Sequence, residues 1–148
     1  MKAGFYESRK AMFTSDKNYW ETPQEFFELL NTELNFTLDP CSSHANAKCE
    51  KHYTVEEDGL SQDWSGEVVF CNPPHGRAIG DWVKKSSEEA EKGATVVLLI
   101  PARTDTAYFH DYIYGKAEIR FLRGRLKFEQ NGKAGQSAPF PSMIAIWR

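Results

Sequence analysis

Short apolar runs of strand length recur along this chain, and helical periodicity fills the gaps between them. Ala94 to Ile100 is apolar almost throughout, which predicts a central strand of a parallel sheet. Shorter runs predict strands at Phe36–Cys41, His52–Val55, Glu67–Cys71, Ala117–Leu122, Arg125–Phe128 and Ser142–Trp147. Between them, Phe26, Phe27, Leu29, Leu30 and Leu34 share one helical face. Thr22-Pro23-Gln24-Glu25 has the residues of a helix start, with Thr22 as cap, Pro23 at the first position and Glu25 closing a capping box. Ile79, Trp82, Val83 and Ala90 define a second helix that stops at Gly93. A third, capped by Thr104 or Asp105, runs from Thr106 to about Tyr114, with Gly115 as its stop. Gly132 to Ser137 reads as loop. Strands alternating with helices predict a three-layered α/β fold, its sheet mostly parallel and closed by a C-terminal antiparallel hairpin.

The chain's 148 residues, 41% apolar, suit one globular domain. Residues 1–19 lack periodicity and are expected to be a flexible arm, leaving residues 20–148 as the domain. No apolar run approaches a membrane span and the first residues lack a signal-peptide centre, so a cytoplasmic protein is expected. Charge changes the picture more than composition does. Residues 1–100 hold 10 Lys/Arg against 17 Asp/Glu, a balance of −7, whereas residues 101–148 hold 8 against 4, a balance of +4. Arg120, Arg123, Arg125 and Lys127 supply much of that excess, which could attract phosphates or form a solvated charge cluster. Three cysteines make no disulfide framework. The types in Cys41-x2-His44-x4-Cys49-x2-His52 suit zinc, but Cys41 follows an Asp-Pro corner and His52 enters a strand, so no metal is expected.

Chemistry concentrates at strand exits. Asp39, Asp58, Asn72 and Arg103 each lie at or just past the carboxyl end of a predicted strand, the edge where open α/β sheets bind ligands. Asn72-Pro73-Pro74-His75 is the most distinctive of these. Two prolines stiffen the exit and hold the Asn72 amide at the strand end. An exocyclic amine on a base is a poor nucleophile, because its lone pair is delocalised into the ring. A side-chain carbonyl and a backbone carbonyl that accept its two N–H bonds would aim that lone pair, which is catalysis by positioning. A flat ring after the prolines, here His75, suits stacking on a base flipped from its duplex. Neither a dinucleotide fingerprint nor a P-loop is present.

Further motifs extend the pattern: Trp20-Glu21-Thr22-Pro23, Leu38-Asp39-Pro40-Cys41, Asn46-Ala47-Lys48-Cys49, Asp58-Gly59-Leu60, Asn72-Pro73-Pro74-His75-Gly76, Pro101-Ala102-Arg103-Thr104-Asp105-Thr106, Arg123-Gly124-Arg125-Leu126-Lys127-Phe128 and Ala138-Pro139-Phe140-Pro141-Ser142. In this order, from about Trp20 to Trp147, they resemble the phage and prophage DNA N6-adenine methyltransferase family (Dam-type), within the class I, Rossmann-like methyltransferases. The resemblance implies methyl transfer from S-adenosylmethionine to adenine N6 in double-stranded DNA. It further implies cofactor contacts from Thr22, Pro23, Asp39, Pro40, Asp58 and Asn72, and a catalytic turn of Asn72, Pro73, Pro74 and His75. His75 stands where the family usually has Tyr or Phe. Arg103, Arg123, Arg125 and Lys127 become candidates for DNA contact. Alternatives are methylation of another planar nitrogen (N4 of cytosine, RNA or a protein amide) and a catalytically inactive nucleic-acid-binding module. Monomer and homodimer both stay open.

Overall fold

The structure, a computed structural model, describes residues 20–148; the arm expected over residues 1–19 lies outside the described residues. Four strands form the main sheet: β1 (Val68–Cys71), β2 (Thr95–Pro101), β3 (Glu118–Phe121) and β6 (Ser142–Trp147), in the order β1-β2-β6-β3. β2 pairs in parallel with β1 and antiparallel with β6, and β6 pairs antiparallel with β3. The sheet is therefore mixed rather than mostly parallel. The last strand does not close a hairpin with its predecessor; it inserts between β2 and β3, its full length buried. A separate small hairpin, β4 (Glu129–Gln130) with β5 (Lys133–Ala134), occupies a stretch expected to be partly loop. The strand predicted over Arg125–Phe128 does not form as such. Its carbonyls at Leu126 and Phe128 accept instead from Ala138 and Gly135 of the returning chain (both 2.9 Å).

The predicted strands over Phe36–Cys41 and His52–Val55 are reduced to isolated bridges: Leu38 pairs with Val69 and Asp39 with His52, both in parallel. The backbone bonds Phe70 N to Leu38 O (3.0 Å) and Tyr53 N to Asp39 O (3.0 Å) carry the sheet outward beyond β1. Pro40 has no N–H to offer the ladder, and past it Ser42 N still donates to the Tyr53 carbonyl (3.1 Å).

Alternation along the strands divides the core. Val69, Val96, Leu98, Ile100, Met143 and Ala145 face one side, where they meet α2 (Ile79–Glu91) through Trp82 and Val83. Phe70, Val97, Leu99, Ile144 and Ile146 face the other, where α1 (Gln24–Leu34) covers them with Phe27 and Leu30. That is the expected three-layer sandwich. Leu29, predicted on the apolar face of α1, is 74% exposed, so the buried stripe of that helix is narrower than its composition. The third helix forms over Phe109–Ile113 as a wide π turn, and its start is held by the Thr106 hydroxyl, which accepts from Phe109 N (3.4 Å), rather than by Thr104 or Asp105. Trp64, Trp82 and Trp147 are core residues. Among the described residues no helix is long and apolar enough to cross a membrane.

Candidate active site

β1 delivers its last buried side chain at Cys71, and the next residue, Asn72, leaves the sheet. Pro73 and Pro74 follow, both buried, so the exit is rigid and the Asn72 side chain stays at the sheet edge. There it meets the segment that enters α1. Asn72 Nδ2 donates to the Trp20 carbonyl and, over 3.0 Å, to Thr22 Oγ1. A backbone carbonyl only accepts, so this contact decides which end of the amide faces it. Both donor hydrogens are engaged, and the carbonyl end, Asn72 Oδ1, is buried without a hydrogen-bond partner among the described residues. A buried acceptor left unmade costs about 1–3 kcal/mol, so the amide is held in an orientation that favours an incoming donor.

Thr22 was expected to cap α1 through a capping box with Glu25. Instead the helix starts one residue later, with Pro23 at its cap position, and the Thr22 hydroxyl accepts from Asn72. The helix start is served from across the fold: Gln24 N donates to Glu129 Oε2 (3.1 Å), while Glu129 N donates to the Glu21 carbonyl (2.8 Å).

A pocket opens beside the amide, with Glu21, Thr22, Asp39, Asn46, Lys48 and Asn72 in its wall. Asp39 is 4% exposed; its carboxylate accepts from Lys48 N (2.9 Å) and Cys41 N (3.2 Å). Burial pushes the Asp39 carboxyl up to about 6, against the downward pull of those two bonds. Burial also lowers the Lys48 ammonium, which acidic neighbours including Glu129, Asp39 and Glu21 hold up. The lining thus includes Glu21, Asp39 and Lys48 beside an oriented amide, the Lys48 ammonium donating to Gln24 Oε1 (2.7 Å).

His75 lies on the other side of the turn. Its ring is stacked on Trp20 (centroids 6.1 Å, 24° between planes) and edge-on to Phe140 (5.1 Å) and Phe128 (6.1 Å). It is 7% exposed, and neither ring nitrogen has a partner among the described residues. Burial, assisted by the nearby Arg103 charge, pushes its pKa down to about 4, so the imidazole is neutral at physiological pH.

The structure brings Thr22, Asp39 and Asn72 together in one pocket wall, and leaves Pro23, Pro40 and Asp58 outside it. Asp58 instead begins a 3-10 turn, Gly59–Ser61, in the left-handed conformation (φ 56°). Gly59 packs directly on Pro40: a Cβ there would lie 2.0 Å from the Pro40 carbonyl oxygen, so the Asp39–Pro40 and Asp58–Gly59 corners are neighbours. Arg103, Arg123, Arg125 and Lys127 are exposed, and Arg125 also donates to the Ala138 carbonyl (3.3 Å). Arg120 is different. Its guanidinium is bidentate to Glu33 (2.8 Å twice) and donates to Glu118 (2.7 Å), which removes it from the positive patch. His44 Nδ1 and His52 Nε2 lie 2.8 Å apart, but among the described residues no three His, Cys, Asp or Glu groups gather as metal ligands.

Glu21, Asn46 and Lys48 belong to sequence motifs that give none of them a role by themselves. Their signal was weak: they sit in polar stretches without periodicity, and only folding brings them to Asn72. Phe128 and Phe140, which wall the His75 ring, carried no signal beyond aromaticity.

Comparison with known proteins bears on this arrangement. The family profile described as DNA N-6-adenine-methyltransferase (Dam) matches residues 9–148, nearly the whole chain. The chain belongs to this family. A Haemophilus phage HP1 (strain HP1c1) DNA N-6-adenine-methyltransferase is 28% identical over 138 residues, covering 90% of this chain and 80% of the relative. An Escherichia phage T1 protein of the same description is 31% identical over 118 residues, covering 78% of this chain and 49% of the relative. The Dam family match spans every element described above, including the Asn72 turn and the positive segment at Arg123–Lys127.

Proposed function

We propose that the chain transfers a methyl group from S-adenosylmethionine to N6 of adenine in double-stranded DNA, with residues 20–148 as the catalytic domain. Membership in the Dam family supports the reaction. The observation that carries the mechanism is the Asn72 amide: both its hydrogens are engaged, and its buried oxygen is left to accept.

Fold and pocket support the same reading. Segments 52–53 and 38–39 lie successively outside β1, and β6 runs antiparallel between β2 and β3, an arrangement read here as the class I, Rossmann-like methyltransferase sheet. The donor set fits the cofactor: carboxylates at Glu21 and Asp39 suit its ammonium and sulfonium charges, and Lys48 suits its carboxylate. Thr22, Pro23, Asp39, Pro40, Asp58 and Asn72 would border it, with the Asp58 corner reaching the site over Pro40. Bound S-adenosylmethionine would supply an electrophilic methyl carbon, its sulfur leaving as the neutral thioether S-adenosylhomocysteine while N6, made cationic by the new bond, would release one of its protons to water.

The chain's own contribution is positional. Asn72 Oδ1 and the Pro73 carbonyl accept the two N6–H bonds, which pyramidalises the nitrogen and aims its lone pair. Pro74 keeps the turn stiff. His75 is the stacking ring of the turn, and a flipped base engages it as the Trp20–His75 stack separates. Arg103, Arg123, Arg125 and Lys127 contact phosphates or bases.

The test is Asn72→Ala in an assay with labelled S-adenosylmethionine, duplex DNA and nucleoside digestion. Labelled N6-methyladenine is expected from the parent protein. The variant should lose at least about 10²-fold in rate while cofactor affinity, measured by calorimetry, stays within a few-fold. Full activity in Asn72→Ala sinks the mechanism. Label in N4-methylcytosine, RNA or protein reassigns the substrate, and cofactor binding absent alongside salt-sensitive DNA binding makes the chain an inactive binding module.

A further inference from the structure

Thr22 was assigned above to the border of the cofactor, but its hydrogen bond says something more specific. We propose that Thr22 is a positioning residue: the Trp20 carbonyl selects which end of the Asn72 side-chain amide faces it, and the Thr22 hydroxyl, taking the second hydrogen, fixes the rotation that presents Oδ1 to the target amine. This inference rests on the proposed function and concerns how its central group is held.

Three observations carry it. Thr22 is 3% exposed, and its Oγ1 accepts from Asn72 Nδ2 over 3.0 Å, while the second hydrogen of that nitrogen goes to the Trp20 carbonyl. Thr22 also has the residue type of a helix cap, yet the cap position of the helix is Pro23, one residue further on. Its hydroxyl oxygen serves a donor 50 positions away. Finally, the segment holding both acceptors is itself pinned, since Glu129 accepts from Gln24 N and donates its own N–H to the Glu21 carbonyl.

An amide is nearly symmetric in shape, so packing alone does not choose between its two flips. Hydrogen bonds choose. Turning Asn72 over would set its carbonyl oxygen against the Trp20 carbonyl, which cannot donate, and would aim two N–H donors at an amine that must itself donate. A turn occupied that way holds the substrate nitrogen wrongly or repels it. The Thr22 hydroxyl can donate or accept, so it fixes the rotation of the side chain rather than choosing its end. Thr22 therefore acts on the fraction of molecules that are competent for the reaction, and its influence belongs in kcat.

The experiment compares Thr22→Val with Thr22→Ser. Valine keeps the shape of threonine and deletes the hydroxyl. Expected for Thr22→Val is a fall in kcat of about tenfold to a hundredfold with S-adenosylmethionine affinity within threefold of the parent. Thr22→Ser should recover kcat to within about threefold. Two outcomes overturn the inference: Thr22→Val with parental kcat, or a loss carried by cofactor affinity, which would place the hydroxyl on the cofactor instead. Either leaves the Asn72 mechanism standing, because that is judged separately by Asn72→Ala. Should Thr22→Val not fold, hydrogen exchange of the Asn72 side-chain NH2 in the parent protein decides: protection of both hydrogens supports the lock, and free exchange of both refutes it.

Discussion

Between about pH 4 and pH 6, two buried groups pull the stability of this fold in opposite directions. His75, in its aromatic box, has its pKa lowered from 6.5 to about 4. The unfolded chain binds a proton there that the folded chain refuses, so the stability present above pH 6.5 is lost as pH falls toward 4. The interval corresponds to about 3 kcal/mol, or about 1.4 kcal/mol per pH unit. Asp39 does the reverse. Its pKa rises from 3.8 to about 6, so the folded chain takes up a proton first, and stability present below pH 3.8 is lost as pH rises through 6. That interval is also about 3 kcal/mol. Where the windows overlap, the slopes cancel. Carboxyls held low by partners, such as Glu67 beside Lys51, contribute a stability that is present above their unfolded value of 4.5 and is lost as pH falls below it, at the lower edge of this range. Urea unfolding between pH 4.5 and 6 should therefore show a nearly flat profile, within about 0.5 kcal/mol. His75→Phe removes one arm, and its stability should fall by about 2 kcal/mol from pH 4.5 to 6. It should also be more stable than the parent at low pH, because two unpartnered ring nitrogens are gone. Asp39→Asn removes the other arm, and its stability should rise by about 2 kcal/mol over the same range, whatever its absolute level. Parallel profiles for all three proteins would refute the reasoning, since the slopes would then come from other groups.

Two further expectations concern packing and charge. Gly59→Ala forces a Cβ to within 2.0 Å of the Pro40 carbonyl oxygen and 3.1 Å of the Trp82 ring, so the two corners beside the pocket must part. A loss of about 2 kcal/mol or more in denaturant unfolding is expected, and an unchanged midpoint would show that the corner is looser than described. Replacing Arg123, Arg125 and Lys127 together by alanine should reduce the slope of log DNA affinity against log salt by about two to three. Arg120→Ala should leave that slope alone while breaking the contacts to Glu33 and Glu118; a slope change equal to that of the triple variant would return Arg120 to the DNA face.

What could be read along the chain was whatever depends on near neighbours. The apolar run of β2, the periodicity of α2 and the amide followed by two prolines follow from residues within a turn or a strand of one another. Partners far apart in sequence lay beyond that reading. No local rule sends β6 between β2 and β3; the register that buries Ile144 and Ile146 against α1 and Met143 and Ala145 against α2 does so. The same holds for Arg120, basic in sequence but engaged by Glu33, 87 positions away. Thr22 shows the limit most plainly. A hydroxyl before a helix reads as a cap, because a cap is the nearest thing it can do. Only when β1 brings Asn72 against the start of α1 does a donor appear for that oxygen, while the helix itself starts one residue later, with Pro23 at its cap position. The position of the amide was thus written locally; its orientation, on which the proposed chemistry depends, was decided by tertiary contacts.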